Sequence, residues 1–99
     1  MRTPLALNDV DPKDPSEAKL YTMDWSGSLA SAVTVSTSTW VSRPTGLTHD
    51  TDGIVTGALK TSIRFSGGLP DTDYECENTV TTSDGQTLIR TGVLRVREL

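Results

Sequence analysis

The sequence predicts an all-β protein in which two antiparallel sheets face each other around one core. Three observations lead to this fold class. Apolar and polar residues alternate along several segments, which is the period of a strand with one buried face. Turn-forming glycine, proline and aspartate recur at short intervals between these segments. Threonine and serine supply about a quarter of the 99 residues and aromatic residues only 5%, a composition that suits short, half-exposed strands.

The clearest element is a β-hairpin in the last third of the chain, Gly67 to Arg97. Its core-facing positions are predicted to be Tyr74, Cys76, Val80, Thr82, Leu88, Leu94 and Val96. A two-residue turn, Asp84-Gly85, would pair even positions with odd ones and mix the two faces. A three-residue loop, Ser83-Asp84-Gly85 with a left-handed Gly85, keeps one apolar face. That loop predicts the pairs Tyr74 with Leu94, Val80 with Leu88, and Thr82 with Gln86.

Two earlier segments alternate in the same way. Residues 16–25 predict a strand that directs Trp25 toward the core. Residues 33–41 predict a second, β-branched strand in which Val35 and Trp40 fall in opposite phase. Because one extra residue restores the phase, we expect a bulge or break within Ser36–Thr39.

The middle of the chain is less regular. Arg43-Pro44-Thr45-Gly46 predicts a turn, after which Leu47 tucks under the sandwich. His49 to Gly57 reads as a loop, with a short strand or loop anchor at Ile54-Val55. The next strand is predicted to direct one apolar face inward, formed by Leu59, Ile63 and Phe65.

These elements predict one domain with an appended arm. Residues 1–17 read as an extended N-terminal arm, because Pro12 and Pro15 interrupt regular structure, and residues 18–99 form the sandwich. About seven short strands favour the immunoglobulin or fibronectin type. The order Tyr74-Glu75-Cys76 matches the tyrosine corner of such domains, in which the phenol hydroxyl bonds back to the preceding corner.

Composition excludes several functions. A net charge of −4 and a pI near 4.7 argue against a nucleic-acid surface, which requires a basic stripe. No apolar run has the length of a membrane span, and the Met1–Pro4 start lacks a secretory apolar region. The single cysteine, Cys76, cannot form an intramolecular disulfide, which fits synthesis in a cytosol.

The residues do not predict catalysis, a cofactor or a metal site. Cys76 is expected to be a buried apolar residue because it lies at an inward position of the predicted hairpin. As a nucleophile it would need a lowered pKa, and its acidic neighbours Glu75 and Glu77 would raise the thiol pKa instead. His49 lies between polar residues as a solvated loop residue would. Two acidic groups lack the spacing of a calcium loop and are expected to be solvated or turn-capping: Asp9, Asp11 and Asp14 in the arm, and Asp71 and Asp73 at the corner.

Carbohydrate binding is a more specific alternative function than calcium binding or catalysis, because small β-sandwiches often bind sugars through exposed aromatic rings. The available rings are Tyr21, Trp25, Trp40 and Tyr74. A core with so few aromatic residues is expected to use most of them internally. The residues alone therefore favour a binding or assembly module over an enzyme.

Three groups of motifs resemble one protein family. They are Lys13-Asp14-Pro15 with Glu17, Tyr21 and Asp24-Trp25-Ser26; Ser38-Thr39-Trp40 with Gly46-Leu47-Thr48; and Ser66-Gly67-Gly68, Tyr74, Asn78, Val80 to Ser83, Gly85 and Leu94 to Glu98. In this order, across residues 13–98, they resemble the small fibre-to-tail adaptor proteins of tailed bacteriophages. Cys76, Gly92 and the Leu88-Ile89 pair depart from the family pattern, which has polar residues at positions 88 and 89.

The resemblance implies a non-enzymatic virion protein with an immunoglobulin-like fold. Such a protein would lie in the tail or neck region, contact portal, neck or tail proteins and the tail fibre, and occur in several copies around the axis. A capsid-decorating or carbohydrate-binding module on the virion surface is the alternative. We expect the contacts to use apolar residues of the arm and of the hairpin end, namely Leu5, Leu7, Val10, Leu88 and Ile89.

Overall fold

The computed structural model describes residues 12–99 and confirms the all-β prediction. Its strands are β1 (Ala18–Asp24), β2 (Val35–Arg43), β3 (Leu47–Ile54), β4 (Lys60–Gly67), β5 (Thr72–Thr82) and β6 (Thr87–Val96). A short 3-10 turn, Ser26–Ser28, follows β1. None of the helical structure within residues 12–99 is long and apolar enough to span a membrane.

The strands form two antiparallel sheets, in the orders β1-β4-β3 and β2-β5-β6. In immunoglobulin constant-type domains the second, fifth and fourth strands share one sheet, and the third, sixth and seventh share the other. Strands β1 to β6 reproduce that division, which confirms the predicted immunoglobulin-like sandwich. An isolated parallel bridge between Lys13 and Val96 adds one more extended segment beside β6.

The terminal hairpin has the predicted register. Tyr74 pairs with Leu94 and Val80 with Leu88. The loop closes when the amide of Thr82 donates to the carbonyl of Gln86 over 2.9 Å. Gly85 has a φ of +86°, the left-handed conformation that the three-residue loop requires.

Other local predictions are also confirmed. The register of β2 against β5 shifts between Val35 and Thr37, which places the bulge at the start of the predicted interval. Trp25 and Leu47 are buried, at 1% and 8% exposure. Leu47 follows a turn in which the Arg43–Pro44 peptide is cis.

Two local predictions were wrong. The segment His49 to Gly57 is mostly strand, because β3 continues to Ile54 by pairing with β4. An irregularity between Asp50 and Gly53 interrupts that pairing locally. On both sides of it the hydrogen bonds to β4 hold the segment as a strand, although its local sequence resembles a loop. Leu59 precedes β4 and is 41% exposed, so it does not join the buried face predicted for it.

The core consists of two clusters of buried side chains. The larger contains Tyr21, Trp40, Leu47, Ile63, Phe65, Tyr74, Cys76, Leu94 and Val96. The smaller contains Trp25, Val35 and Val80, with Met23, Leu29 and Leu88 packed half-buried against it. The smaller cluster lies at the end of the sandwich that carries the hairpin loop.

Candidate interaction surface

The cysteine is a core residue. Cys76 lies on β5 with no exposed area, and burial raises the pKa of its thiol from 9.0 to about 12. Its Sγ lies 3.9 Å from the carbonyl oxygen of Tyr74, a distance that allows a weak hydrogen bond. A thiol that stays protonated and unexposed is a poor nucleophile.

The histidine and the acidic residues also have structural surroundings. His49 is exposed on β3, and its ring lies edge-on to Phe65 with the centroids 6.2 Å apart. Asp14 accepts hydrogen bonds from the amides of Ser16 and Leu99, at 2.8 and 2.9 Å, and these bonds lower the pKa of its carboxyl. Across residues 12–99, no three histidine, cysteine or acidic side chains are grouped closely enough to bind a metal ion.

The aromatic rings do not form a sugar-binding platform. Tyr21, Trp25, Trp40 and Tyr74 are all buried, with exposures between 0% and 7%. A stacking platform needs an accessible ring face, so these four rings belong to the core rather than to a carbohydrate site.

Lys13 holds the segment that precedes β1 against the sandwich. The side chain has no exposed area, and its Nζ donates to the carbonyl oxygens of Gly67 (2.6 Å) and Asp14 (2.9 Å). Its own amide donates to the carbonyl of Arg95, and its carbonyl accepts from the amide of Arg97. Burial lowers the pKa of the Lys13 ammonium, because removal from water disfavours the charged form.

The tyrosine corner is present. The hydroxyl of Tyr74 accepts a hydrogen bond of 2.9 Å from the amide of Leu69, in the connection between β4 and β5. Gly46 makes this approach possible, because a Cβ at that position would lie 2.8 Å from the Tyr74 hydroxyl. Gly46 also has a φ of +120°, which disfavours other residues.

Asn78 connects the two sheets by a buried polar contact. Its Oδ1 accepts hydrogen bonds from Trp25 Nε1 (3.0 Å) and from the hydroxyl of Thr61 (2.6 Å) on β4. Its Nδ2 donates to β2, at the hydroxyl of Ser38 and the carbonyl of Thr39, both over 2.9 Å. Because an unsatisfied polar group here would be costly, this contact fixes how the sheets align.

One surface differs from the rest of the molecule. At the end of the β2-β5-β6 sheet nearest the hairpin loop, most outward positions are uncharged and β-branched. We call this surface the threonine face; its residues are Thr37, Thr39, Val41, Thr79, Thr81, Thr87, Ile89 and Thr91. Cross-strand pairing aligns them in rows, such as Thr39 beside Thr79 and Ile89.

The threonine face has an apolar and a polar component. Val41 and Ile89 are 53% and 50% exposed, and they lie on the two outer strands of the sheet. The hydroxyls of Thr37 and Thr81 hydrogen-bond to each other over 2.5 Å. Glu77 lies between Val41 and Thr91 in the row of the face farthest from the hairpin loop, and it forms an ion pair of 3.5 Å with Arg43.

The outer face of the other sheet is more highly charged. Arg64 on β4 and Asp50 on β3 form a two-point ion pair, with N–O distances of 2.8 and 2.9 Å. Leu20 on β1 is 46% exposed beside this pair. This surface resembles an ordinary solvated sheet, whereas the core of a protein interface is depleted of charge.

The predicted interface residues separate into three groups. Ile89 is exposed within the threonine face, whereas its neighbour Leu88 points inward and packs half-buried against the smaller core cluster. Leu5, Leu7 and Val10 lie outside the described residues. Sequence reasoning missed Val41, although its alternation with the buried Trp40 indicated an outward position.

Comparison with protein families gives one result. The model of the family described as podophage GP4 fiber-tail adaptor protein gp77 matches residues 13–95. Among curated proteins and among solved structures, nothing matches the chain. The matched segment begins at the buried Lys13 and includes all but the last residue of β6. Because the match extends over most of the sequence, the chain belongs to the podophage fibre-tail adaptor family.

Proposed function

We propose that this chain acts as a non-enzymatic adaptor that joins the tail or neck of a phage particle to its fibres. The threonine face, on a member of a fibre-tail adaptor family, is the observation that carries the proposal. Several copies would surround the tail axis, and each would bind its neighbours or the fibre through protein contacts alone. A ring of this kind uses the same two complementary surfaces on every copy.

The chemistry of the threonine face suits protein contact. Its side chains carry no charge, so removing them from water costs less than burying ionised groups. Threonine, valine and isoleucine have restricted side-chain rotation, which limits the entropy lost on binding. Val41 and Ile89 supply apolar area, and the surrounding hydroxyls can bond to a polar partner surface.

The surroundings of the candidate chemical residues support a non-enzymatic role. The Cys76 thiol is buried with a raised pKa. The exposed ring of His49 lies edge-on to the ring of Phe65. A catalytic site needs a nucleophile, a base and a reacting position within a few ångströms of one another.

Replacement of one apolar residue on each sheet tests the proposal. Ile89→Asp places a charge in the threonine face, and Leu20→Asp places one at matched exposure on the other sheet. We expect Ile89→Asp to lose incorporation into phage particles by tenfold or more, with its melting temperature unchanged within a few degrees. Leu20→Asp is expected to incorporate normally, and equal incorporation of the two variants would refute the assignment of the face.

Copy number separates the adaptor from a capsid-decorating module. An adaptor at the tail vertex is limited to a few rings, whereas a decoration protein covers the capsid in hundreds of copies. Quantitative mass spectrometry of purified particles, calibrated on the portal protein, gives this number. A count in the hundreds would overturn the tail or neck location.

The arm remains part of the proposal. Leu5, Leu7 and Val10 are predicted to make contacts, and they are too few to form a core by themselves. Val10→Asp provides the arm counterpart of Ile89→Asp in the same incorporation assay. Normal incorporation of that variant would remove Val10 from the contact surface.

A further inference from the structure

Three connections form the end of the sandwich that carries the hairpin loop. They are residues 25–34 between β1 and β2, residues 55–59 between β3 and β4, and residues 83–86 between β5 and β6; we call this surface the loop end. The Trp25 amide donates to the Leu59 carbonyl over 2.9 Å, and the Ser83 amide donates to the Thr34 carbonyl over 2.8 Å. These bonds join the three connections into one surface.

The loop end carries almost no charge and exposes apolar side chains. Residues 25–34 and 55–59 contain no charged residue, and residues 83–86 contain one, Asp84. Leu59 is 41% exposed, and Ile54, the last residue of β3, is 38% exposed. Depletion of charge around exposed apolar groups is typical of the core of a protein interface.

The threonine face needs such an addition, because it is too small for a stable contact by itself. Its three strands are about 14 Å wide, and the distance from Thr87 to Thr91 is about 14 Å, so it covers roughly 200 Å². A stable interface buries about 800 Å² on each partner. Beyond the face the next outward positions include the charged Arg43 and Glu75. An uncharged contact can therefore extend in the other direction, over the hairpin loop.

We propose that the threonine face and the loop end form one continuous docking surface for a different virion protein. The cross-section of two stacked sheets, each about 10 Å thick and 14 Å wide, adds roughly 280 Å² to the face. Side chains that project from both surfaces raise the accessible area further. Because the surface includes the threonine face, this proposal rests on the adaptor function.

Charge indicates the chemistry of the occupant. Asp84 lies in the hairpin loop and Asp52 near the end of β3, and no basic side chain of residues 12–99 forms an ion pair with either. Opposite charges across an interface favour association and fix its orientation. The complementary partner has an apolar contact surface that presents lysine or arginine to these two carboxylates.

The same charges disfavour a second copy on this surface. Two loop ends in contact would bring Asp52 and Asp84 of both copies together, and juxtaposed like charges are costly. The threonine face of another copy offers no free base among its described residues, because the bordering Arg43 is paired with Glu77.

The opposite end of a second copy is also acidic. Its connections, residues 12–17, 68–71 and 97–99, contain the acidic residues Asp14, Glu17, Asp71 and Glu98. Of their two basic residues, Lys13 is buried and Arg97 forms an ion pair of 2.8 Å with Asp73. A separate protein with accessible basic residues is therefore the better match.

Two alanines of the loop end adopt the left-handed backbone conformation. Ala32 has a φ of +66° and Ala58 a φ of +57°, whereas Gly57, which also has a positive φ, is a glycine. A Cβ in this conformation costs free energy relative to glycine, and strain of this kind clusters at binding sites. The two methyl groups add apolar surface where backbone geometry alone would favour glycine.

Charge insertion at three exposed apolar positions tests the continuous surface. Leu59→Asp alters the loop end and Ile89→Asp the threonine face, while Leu69→Asp is the control at the opposite end, in the connection between β4 and β5. Each variant is supplied together with wild-type chain to a phage that lacks its own copy. Mass spectrometry of purified particles then gives the ratio of variant to wild type, and melting temperatures confirm folding.

We expect Leu59→Asp and Ile89→Asp each to fall at least tenfold against wild type, and Leu69→Asp to stay within twofold. Loss for Ile89→Asp with normal Leu59→Asp would overturn the continuous surface and leave the adaptor function standing. Normal incorporation of both would overturn both proposals. Loss for Leu59→Asp alone, or an equal loss for Leu69→Asp, would also overturn the continuous surface.

Reversal of one charge tests the basic partner without disturbing the core. Asp52 is exposed, so Asp52→Lys should fold as the wild type does. We expect its ratio in particles to fall at least threefold, while Glu98→Lys, exposed at the opposite end, stays unchanged. An unchanged ratio for Asp52→Lys would overturn the basic character of the partner.

Photo-crosslinking identifies the occupant directly. Leu59 is replaced with benzoylphenylalanine, assembled particles are irradiated, and the crosslinked peptides are mapped by mass spectrometry. The expected product joins this chain to a different virion protein. A product that consists mainly of two copies of this chain would overturn the proposal.

Discussion

Two buried tyrosines provide a matched test of the tyrosine corner. Tyr74 and Tyr21 are both fully buried in the larger core cluster. The Tyr74 hydroxyl accepts a hydrogen bond from Leu69, whereas among residues 12–99 the Tyr21 hydroxyl has no hydrogen-bond partner. Replacing each with phenylalanine removes one oxygen atom from the same kind of surroundings.

The expected effects differ because of that one bond. Tyr74→Phe removes a hydrogen bond and leaves the Leu69 amide without its acceptor, which costs about 1–3 kcal/mol. For a domain of this size the melting temperature should fall by roughly 5–15 °C. Tyr21→Phe removes an unsatisfied buried hydroxyl, so its free energy of unfolding should stay within about 0.5 kcal/mol of wild type or rise.

Urea unfolding followed by tryptophan fluorescence measures both values. Trp25 and Trp40 are buried, so their emission reports global unfolding. Equal slopes of free energy against urea would show that the variants differ in stability alone. The reasoning is refuted if Tyr74→Phe is as stable as wild type, or if Tyr21→Phe loses as much stability as Tyr74→Phe.

Three further predictions concern stability. Leu88→Ala should lower the free energy of unfolding by about 1–2 kcal/mol, because Leu88 packs half-buried on the core. Ile89 is exposed, so Ile89→Ala should change that free energy by no more than about 0.5 kcal/mol. Equal losses for the two variants in chemical denaturation would contradict these positions. Gly46→Ala should cost about 2 kcal/mol or more, since φ is +120° and the new Cβ would crowd the Tyr74 hydroxyl; a neutral result in the same assay would contradict this. Burial raises the pKa of the Cys76 thiol from 9.0 to about 12, so the stability it contributes is complete below pH 9 and is lost as pH rises toward 12. Cys76→Ala should therefore flatten the fall of unfolding free energy across that window, and an unchanged slope would count against it.

Local patterns were enough to predict the terminal hairpin. Alternation fixed which side chains of β5 and β6 face the core, and a left-handed glycine at Gly85 was the one loop geometry consistent with both strands. The tyrosine corner followed from the spacing of Tyr74 and Cys76. These features depend on residues that are close in sequence or directly paired across the hairpin.

Features that depend on distant partners were not predictable in this way. The polar strand β3 exists because β4 supplies its hydrogen bonds, which no local propensity indicates. Lys13 is buried because the carbonyl of Gly67, 54 residues away, accepts from its ammonium group. The positions of Leu88 and Ile89, by contrast, follow from strand parity and agree with the core-facing position predicted for Leu88, rather than with its assignment to the interface.

The central claim is that the chain links fibre to tail, and fibre content of particles assembled without it is the most direct measurement. Particles from a phage that lacks only this chain should retain portal and capsid proteins at wild-type ratios and lose at least nine-tenths of their fibre protein. Supplying the chain in trans should restore the fibres. Normal fibre content in particles shown by mass spectrometry to lack the chain would contradict the adaptor role.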